Sequence, residues 1–161
     1  MRLIQDILKT QVVEVKTELG LTNMKFKFST GAEFVNELIK LTENKTKYPF
    51  FFVDSKTVVY SRETVSIGKI IIATLTKSEY TSEQRETKTF GDILVPIVSK
   101  FIEDIWIHNP DMSVMKHGTV VLNYFFGNSG IYGVDGNVFA DAVDAIELNN
   151  FQFRISKTLK N

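Results

Sequence analysis

An antiparallel or mixed β-sheet packed by two to three α-helices, class α+β, is what the sequence predicts, and three observations predict it. Apolar residues recur at helical spacing near the amino terminus and again between 93 and 105, whereas the segments between alternate with a period of two or run apolar on both faces. Several strand-like segments follow one another across short turns, which leaves no room for the crossover helices of an all-parallel sheet. The chain has 161 residues, 43% hydrophobic and 24% charged, the size and composition of one globular domain. Such a domain buries about two-thirds of the surface its unfolded chain exposes. No linker and no repeat of solenoid length divides it, so residues 1–161 are expected to form a single domain with a mobile Gly-rich loop at 127–136 and a polar tail at 156–161.

Ile4, Ile7, Leu8, Val12, Val15 and Leu19 line one face of a first helix, and Gly20 stands where a left-handed cap ends it. Met24, Phe26 and Phe28 alternate with Lys25 and Lys27 as on a half-buried strand. Ser29 and Thr30 are capable N-caps for a second helix, Ala32 to Glu43, and Asn44 to Lys47 is a polar break. A short aromatic strand, Tyr48 to Asp54, follows, with Pro49 suited to its beginning or to an edge. Val58, Val59 and Tyr60 are expected to pair back after an Asp54-Ser55-Lys56 turn. Thr64 to Leu75 is rich in β-branched residues, and the run Ile70-Ile71-Ile72 places it near the middle of a sheet covered on both sides.

Thr81 and Gln84 have capping-box spacing ahead of the longest helix, whose stripe is Ile93, Leu94, Ile97, Phe101, Ile102 and Ile105. Pro96 interrupts that stripe, and a kink is preferred there over an independent helix starting near Asp92. His108-Asn109-Pro110-Asp111 is a loop, and Thr119 to Phe126 returns to strand. A helical turn is expected near Val138 to Val143, then a strand from Ala145 to Leu148. Asn149-Asn150 before Phe151 to Ile155 is either a hairpin turn or a bulge in one long strand.

Nineteen basic and nineteen acidic residues give zero formal net charge, so the basic surplus of a dedicated nucleic-acid binder is missing. Neutrality also removes the long-range repulsion that keeps monomers apart. Thirteen Phe, five Tyr and one Trp suit a chain with both a core and an interface to fill. With no Cys there is neither a disulfide framework nor a thiolate zinc site. The amino terminus is broken by charge too soon for a signal-peptide hydrophobic region, and the apolar runs fall far short of the roughly 20 residues that span a bilayer. A soluble chain is expected.

The stretch from Gly127 to Gly136 has glycine at every third position but neither the Lys-Ser/Thr pair nor the spacing of a phosphate loop. It reads either as a flexible loop or as one that orders against a neighbour through Ile131, Tyr132 and Val134. Asp135, Asp141, Asp144 and Glu147 lack the register of an EF-hand and are expected as solvated helix-face or cap carboxylates; Asp141 and Asp144 could instead pair with a neighbour's basic residues. His108 and His117 are too few for a catalytic zinc site or a triad. Glu83, Arg85 and Glu86 form a charged connector, open to protein contact. No catalytic, cofactor-binding or metal residue is therefore expected.

The order Lys47-Tyr48-Pro49-Phe50-Phe51-Phe52-Val53, then Ile70-Ile71-Ile72-Ala73-Thr74-Leu75-Thr76, then Tyr80-Thr81-Ser82-Glu83-Gln84-Arg85, then Phe90 to Ile105 with Pro96 inside, resembles small neck and tail-completion proteins of tailed bacteriophages, including those of crAss-like phages. The ending Phe139 to Leu148 also resembles the closing segment of such proteins. The resemblance implies a non-enzymatic subunit of a homo-oligomeric ring in the virion, at the head–tail connector or as a tail terminator, assembled in the host cytoplasm against other neck, portal or tail proteins. DNA could pass through such a ring without sequence-specific binding, and no membrane is involved. The assembly contacts would be Ile131, Tyr132, Val134, Asp141 and Asp144. The Gly-rich loop and the helix at Ala32 to Glu43 depart from the pattern and leave the position in the neck open. A dimeric binding module and a small enzyme with a dispersed site are the rival readings.

Overall fold

The computed structural model describes residues 4–34, 48–61, 64–77, 79–108, 112–114, 121–125 and 143–155. Helix α1 (Ile4–Glu18) buries Ile4, Ile7, Leu8, Val12 and Val15, the face that its spacing predicts. It ends in a Schellman motif: Leu21 N–H donates to the Lys16 carbonyl, Gly20 N–H to that of Thr17, and Gly20 takes φ +66°. Strand β1 (Lys25–Ser29) follows. Thr30 then caps a helical turn at 31–34, exchanging bonds with Glu33 in a capping box. The backbone and hydroxyl bonds from Thr30 hold the Glu33 carboxyl below its ordinary value. The rest of the expected second helix lies outside the described residues.

The sheet is mixed and is built around two long strands, β4 (Thr64–Leu75) and β7 (Val143–Ile155), paired antiparallel over almost their whole length. Along the other edge of β4 run β2 (Phe50–Asp54) and β3 (Val58–Tyr60), joined by a 3-10 turn at Ser55–Thr57. Beyond β2 lies β1, parallel to it. Strands β5 (Met112–Val114) and β6 (Val121–Phe125) pair with the far edge of β7. The α+β class and the mixed sheet are as the sequence predicts.

Val58 to Tyr60 do not pair back on the aromatic strand. A single 3-10 turn steps the chain sideways without reversing it, so β2 and β3 both run antiparallel to β4. The turn is held by Asp54, whose side chain accepts from Lys56 N–H, and by Thr57, whose hydroxyl donates to the Asp54 carbonyl and accepts from Lys69 N–H.

A crease crosses the sheet at this turn. Ile67 and Ile70 lie three residues apart on β4 yet join the same core, and so do Leu148 and Phe151 on β7. Strict alternation would put the members of each pair on opposite faces, so both strands slip one residue, at Gly68–Lys69 and at Asn149–Asn150. Asn150 takes φ +56° within one long strand, so the Asn pair is not a hairpin turn; the register is the same on both sides of it, so neither strand carries the extra residue of a bulge. Gly68 is required here because a Cβ would come within 2.9 Å of Thr57 Cβ.

On one side of the crease the sheet is covered on both faces. Phe51, Val53, Ile70, Ile72, Ile146 and Leu148 pack under α1 and the long helix. Phe50, Phe52, Ile71, Ala73, Val143 and Ala145 form a second cluster with Phe34 and Tyr48. Phe34 stacks on Phe52 at 4.3 Å and meets Phe50 edge-on at 4.9 Å. On the other side β3, the first half of β4 and the last part of β7 form a ribbon. Its helix-side residues Val65, Ile67 and Phe151 are buried, whereas Ser66 and Gln152 are half-buried and Val59 and Arg154 exposed.

The long helix begins at Ser82 and ends at His108, in three windings: α2 (Ser82–Arg85), a π-helical segment (Glu86–Leu94) and α3 (Val95–His108). The capping box predicted at Thr81 is present, with Gln84 N–H donating to Thr81 Oγ1 and Thr81 N–H to Gln84 Oε1. Pro96 is the second residue of α3, which runs on from the π-helical segment without a break. The widened π winding just before it absorbs the missing N–H and the bulk of the ring against the preceding turn. Lys100 on α3 pairs with Glu18 of α1 at 2.5 Å. Among the described residues no helix is long and apolar enough to cross a membrane.

Candidate functional site

Two places in the fold gather polar or apolar groups that the core does not absorb, apart from Gln11 Oε1 and Glu14 Oε2, which are buried on α1 without a hydrogen-bond partner. The first lies under the π-helical segment. Thr74 and Asp144 sit opposite each other on β4 and β7, and the face they share points to the long helix. Asp144 is 0% exposed. Thr89 Oγ1 lies 2.5 Å from Asp144 Oδ2 and 2.7 Å from the Arg85 carbonyl oxygen, so its single proton serves two acceptors. One turn away Arg85 Nε, and near the end of β4 Thr76 Oγ1, are buried without a hydrogen-bond partner. Buried polar atoms of this kind cost about 1–3 kcal/mol each when left unmade. The arrangement can hold a helix turn against the sheet. Among the described residues no group of three or more His, Asp or Glu side chains is placed to hold a metal ion.

The second place is the ribbon edge. Strand β3 is bonded to β4 on one side and carries Val59 at 62% and Tyr60 at 55% exposure. These are two of the four large hydrophobic side chains exposed among the described residues, the others being Val13 and Val95, each alone on a helix. Partial burial raises the Tyr60 phenol above its ordinary value. The turn beyond is closed by Ser61 and Thr64, whose hydroxyls lie 2.5 Å apart.

The residues expected from sequence fall unevenly. Ile131, Tyr132, Val134, Asp135, Asp141 and His117 lie outside the described residues, as does the helical turn near Val138 apart from Val143, which opens β7. Asp144 is not a solvated helix-face or cap carboxylate, and within this chain it is not a surface group. It stands in a strand, turned inward, because the alternation that buries Ile146 and Leu148 toward the helices carries Asp144 to the same face. Glu147, also expected in solvent, is buried on the opposite face, where its Oε2 meets Lys69 Nζ at 3.7 Å. Arg85 of the charged connector reaches the Asp144 neighbourhood through the Thr89 bond to its carbonyl. Sequence reasoning missed the pairing of Asp144 with Thr89 and the exposed edge of β3. The first had a usable signal, since Asp144, Ile146 and Leu148 alternate on one face of a strand.

No protein-family model, curated protein or solved structure matches the chain.

Proposed function

We propose that the chain is a structural subunit of a tailed-phage virion, forming a homo-oligomeric ring at the head–tail connector or as a tail terminator, and that it has no catalytic role. The observation that carries this reading is the ribbon edge. A β-strand bonded on one side, with Val59 and Tyr60 turned to solvent, is a template for pairing with another chain, and natural single-chain domains blunt such edges with charge or cover. Sheet edge β1, by contrast, carries Lys25 and Lys27. An exposed edge strand used against a different surface of the next copy gives a directional, head-to-tail contact, the kind that closes into a ring when its rotation closes. The fold also supplies, in order, the aromatic strand, the β-branched central strand, the capped helix start and the Pro96 helix on which the phage resemblance rests.

Native mass spectrometry and negative-stain electron microscopy of the purified chain, alone and mixed with portal and tail-tube proteins of a tailed phage, test the reading. A closed ring of on the order of six or more copies supports it. A two-fold dimer under every condition would replace it with the binding-module reading. A chain that stays monomeric in every mixture would remove the ring.

A further inference from the structure

The winding of the long helix at Glu86–Leu94 is set by four residues that pull in the same direction, and two buried atoms pull against them. Val95 N–H donates to the Phe90 carbonyl, five residues back, where an α-helix would use Gly91. Gly91 permits this, since a Cβ there would meet the Glu86 carbonyl oxygen at 3.0 Å. Pro96 has no N–H, and in an unbroken α-helix its ring would press on the carbonyl four residues back, at Asp92. Thr89 is drawn to Asp144 on β7, which fixes this winding against the sheet. Against these stand the poorer hydrogen-bond geometry of a nine-residue π-helix and the unpartnered Arg85 Nε and Thr76 Oγ1 beside it.

We propose that residues 86–94 are a two-state element, π-wound while Thr89 is bonded to Asp144 and α-wound when that bond is released, with the capping turn at Thr81–Arg85 rotating about the helix axis between the two states. α3 is anchored by the buried Ile97, Val98 and Phe101, so the rotation falls on the N-terminal side. There Lys88 lies 4.9 Å and Lys77 5.6 Å from the ring centre of Tyr80, a contact that a change of winding must break for Lys88. The device presents two different surfaces at the start of the long helix from one sequence, and it stands whether or not the chain forms a ring.

The test is nuclear magnetic resonance on the labelled full chain, reading couplings across individual hydrogen bonds. In the unaltered protein the Phe90 carbonyl should couple to the amide of Val95. In Thr89→Val and Gly91→Ala it should couple to the amide of Leu94 in a population raised at least about tenfold, with exchange broadening over 86–95 and loss of the ring-current shift on the Lys88 methylenes. Pro96→Ala, which adds a donor and removes no polar contact, provides the same readout if either of the others fails to fold. The proposal is overturned if the unaltered chain couples to Leu94, if the variants keep the Val95 coupling without exchange, or if the segment loses all couplings while α3 keeps its own.

Discussion

The two sides of the crease are made from the same two strands and differ in what lies on them. On the covered side β4 reads Ile70-Ile71-Ile72-Ala73, all buried, and β7 reads Ala145-Ile146-Glu147-Leu148, with even the carboxylate buried beside Lys69. On the ribbon side the same strands alternate, Val65 and Ile67 inward with Ser66 between them, Phe151 inward with Gln152 after it. The ladder keeps one register on both sides and is interrupted only at Gly68 and Asn150, so the two sides differ mainly in side-chain burial. Burial on both faces should therefore weight stability to the covered side, and the outward face of the ribbon, opposite the buried Val65, Ile67 and Phe151, should be free to carry surface chemistry at little cost to the fold.

The sharpest way to break that comparison is to truncate its best-buried element. Ile71→Ala removes a fully buried side chain from the cluster under Phe34 and should cost about 2–5 kcal/mol, read as a lowered urea midpoint with an unchanged slope. Ile97→Ala, under the other face, should fall in the same range of about 2–5 kcal/mol. Losses below about 1 kcal/mol at both positions would mean that the covered side is not the source of stability.

Gly68→Ala probes the crease itself. The new Cβ must displace Thr57, a β-branched residue whose hydroxyl is tied to the Asp54 carbonyl and to Lys69 N–H, so the turn has to move as a unit. The expected cost is about 1–3 kcal/mol. A neutral result would show that the turn yields and the crease is soft. Thr81→Ala comes next in size. It removes the hydroxyl that accepts from Gln84 N–H and should cost about 1 kcal/mol, with faster amide exchange confined to the first turns of the long helix.

Much of this was legible in sequence, for reasons that can be named. Three isoleucines in succession announce a strand buried on both faces, Gly20 announces a left-handed cap, and Thr81 with Gln84 announces a helix start. Each is a local rule, and each is obeyed. What escaped depended on partners distant in sequence. Whether three residues after a short turn pair with the preceding strand or continue past it is decided by β4, not by the turn. A proline inside an apolar stripe announces a disturbed helix, but that the segment before it is π-wound, as Gly91 five residues earlier permits, is not announced by the proline alone. Asp144 was expected in solvent because carboxylates usually are, yet its hydroxyl partner comes from the long helix, 55 residues away in the chain. Of the expected assembly residues, Asp144 alone is among the described ones, and it faces inward. The exposed edge of β3 therefore becomes the place to look for a contact.

The smallest expected effect on the fold is also the one that tests the proposed function. Val59 and Tyr60 stand largely in solvent on a strand whose outer edge takes no part in the described ladder, so Val59→Ser and Tyr60→Ser together should change stability by no more than about 0.5 kcal/mol each. If the ribbon is the contact between subunits, the same pair should abolish rings or shift them to free chain, because apolar residues at the centre of a contact carry most of its energy. The control is Val13→Ser, an exposed apolar residue on α1 and away from the ribbon, which should leave assembly as it was. Sedimentation velocity on the three proteins at equal concentration separates the possibilities. Intact rings in the double variant would clear the β3 edge of any role in assembly, whereas lost rings with an unchanged urea midpoint would place the contact on residues of the ribbon that the core does not use.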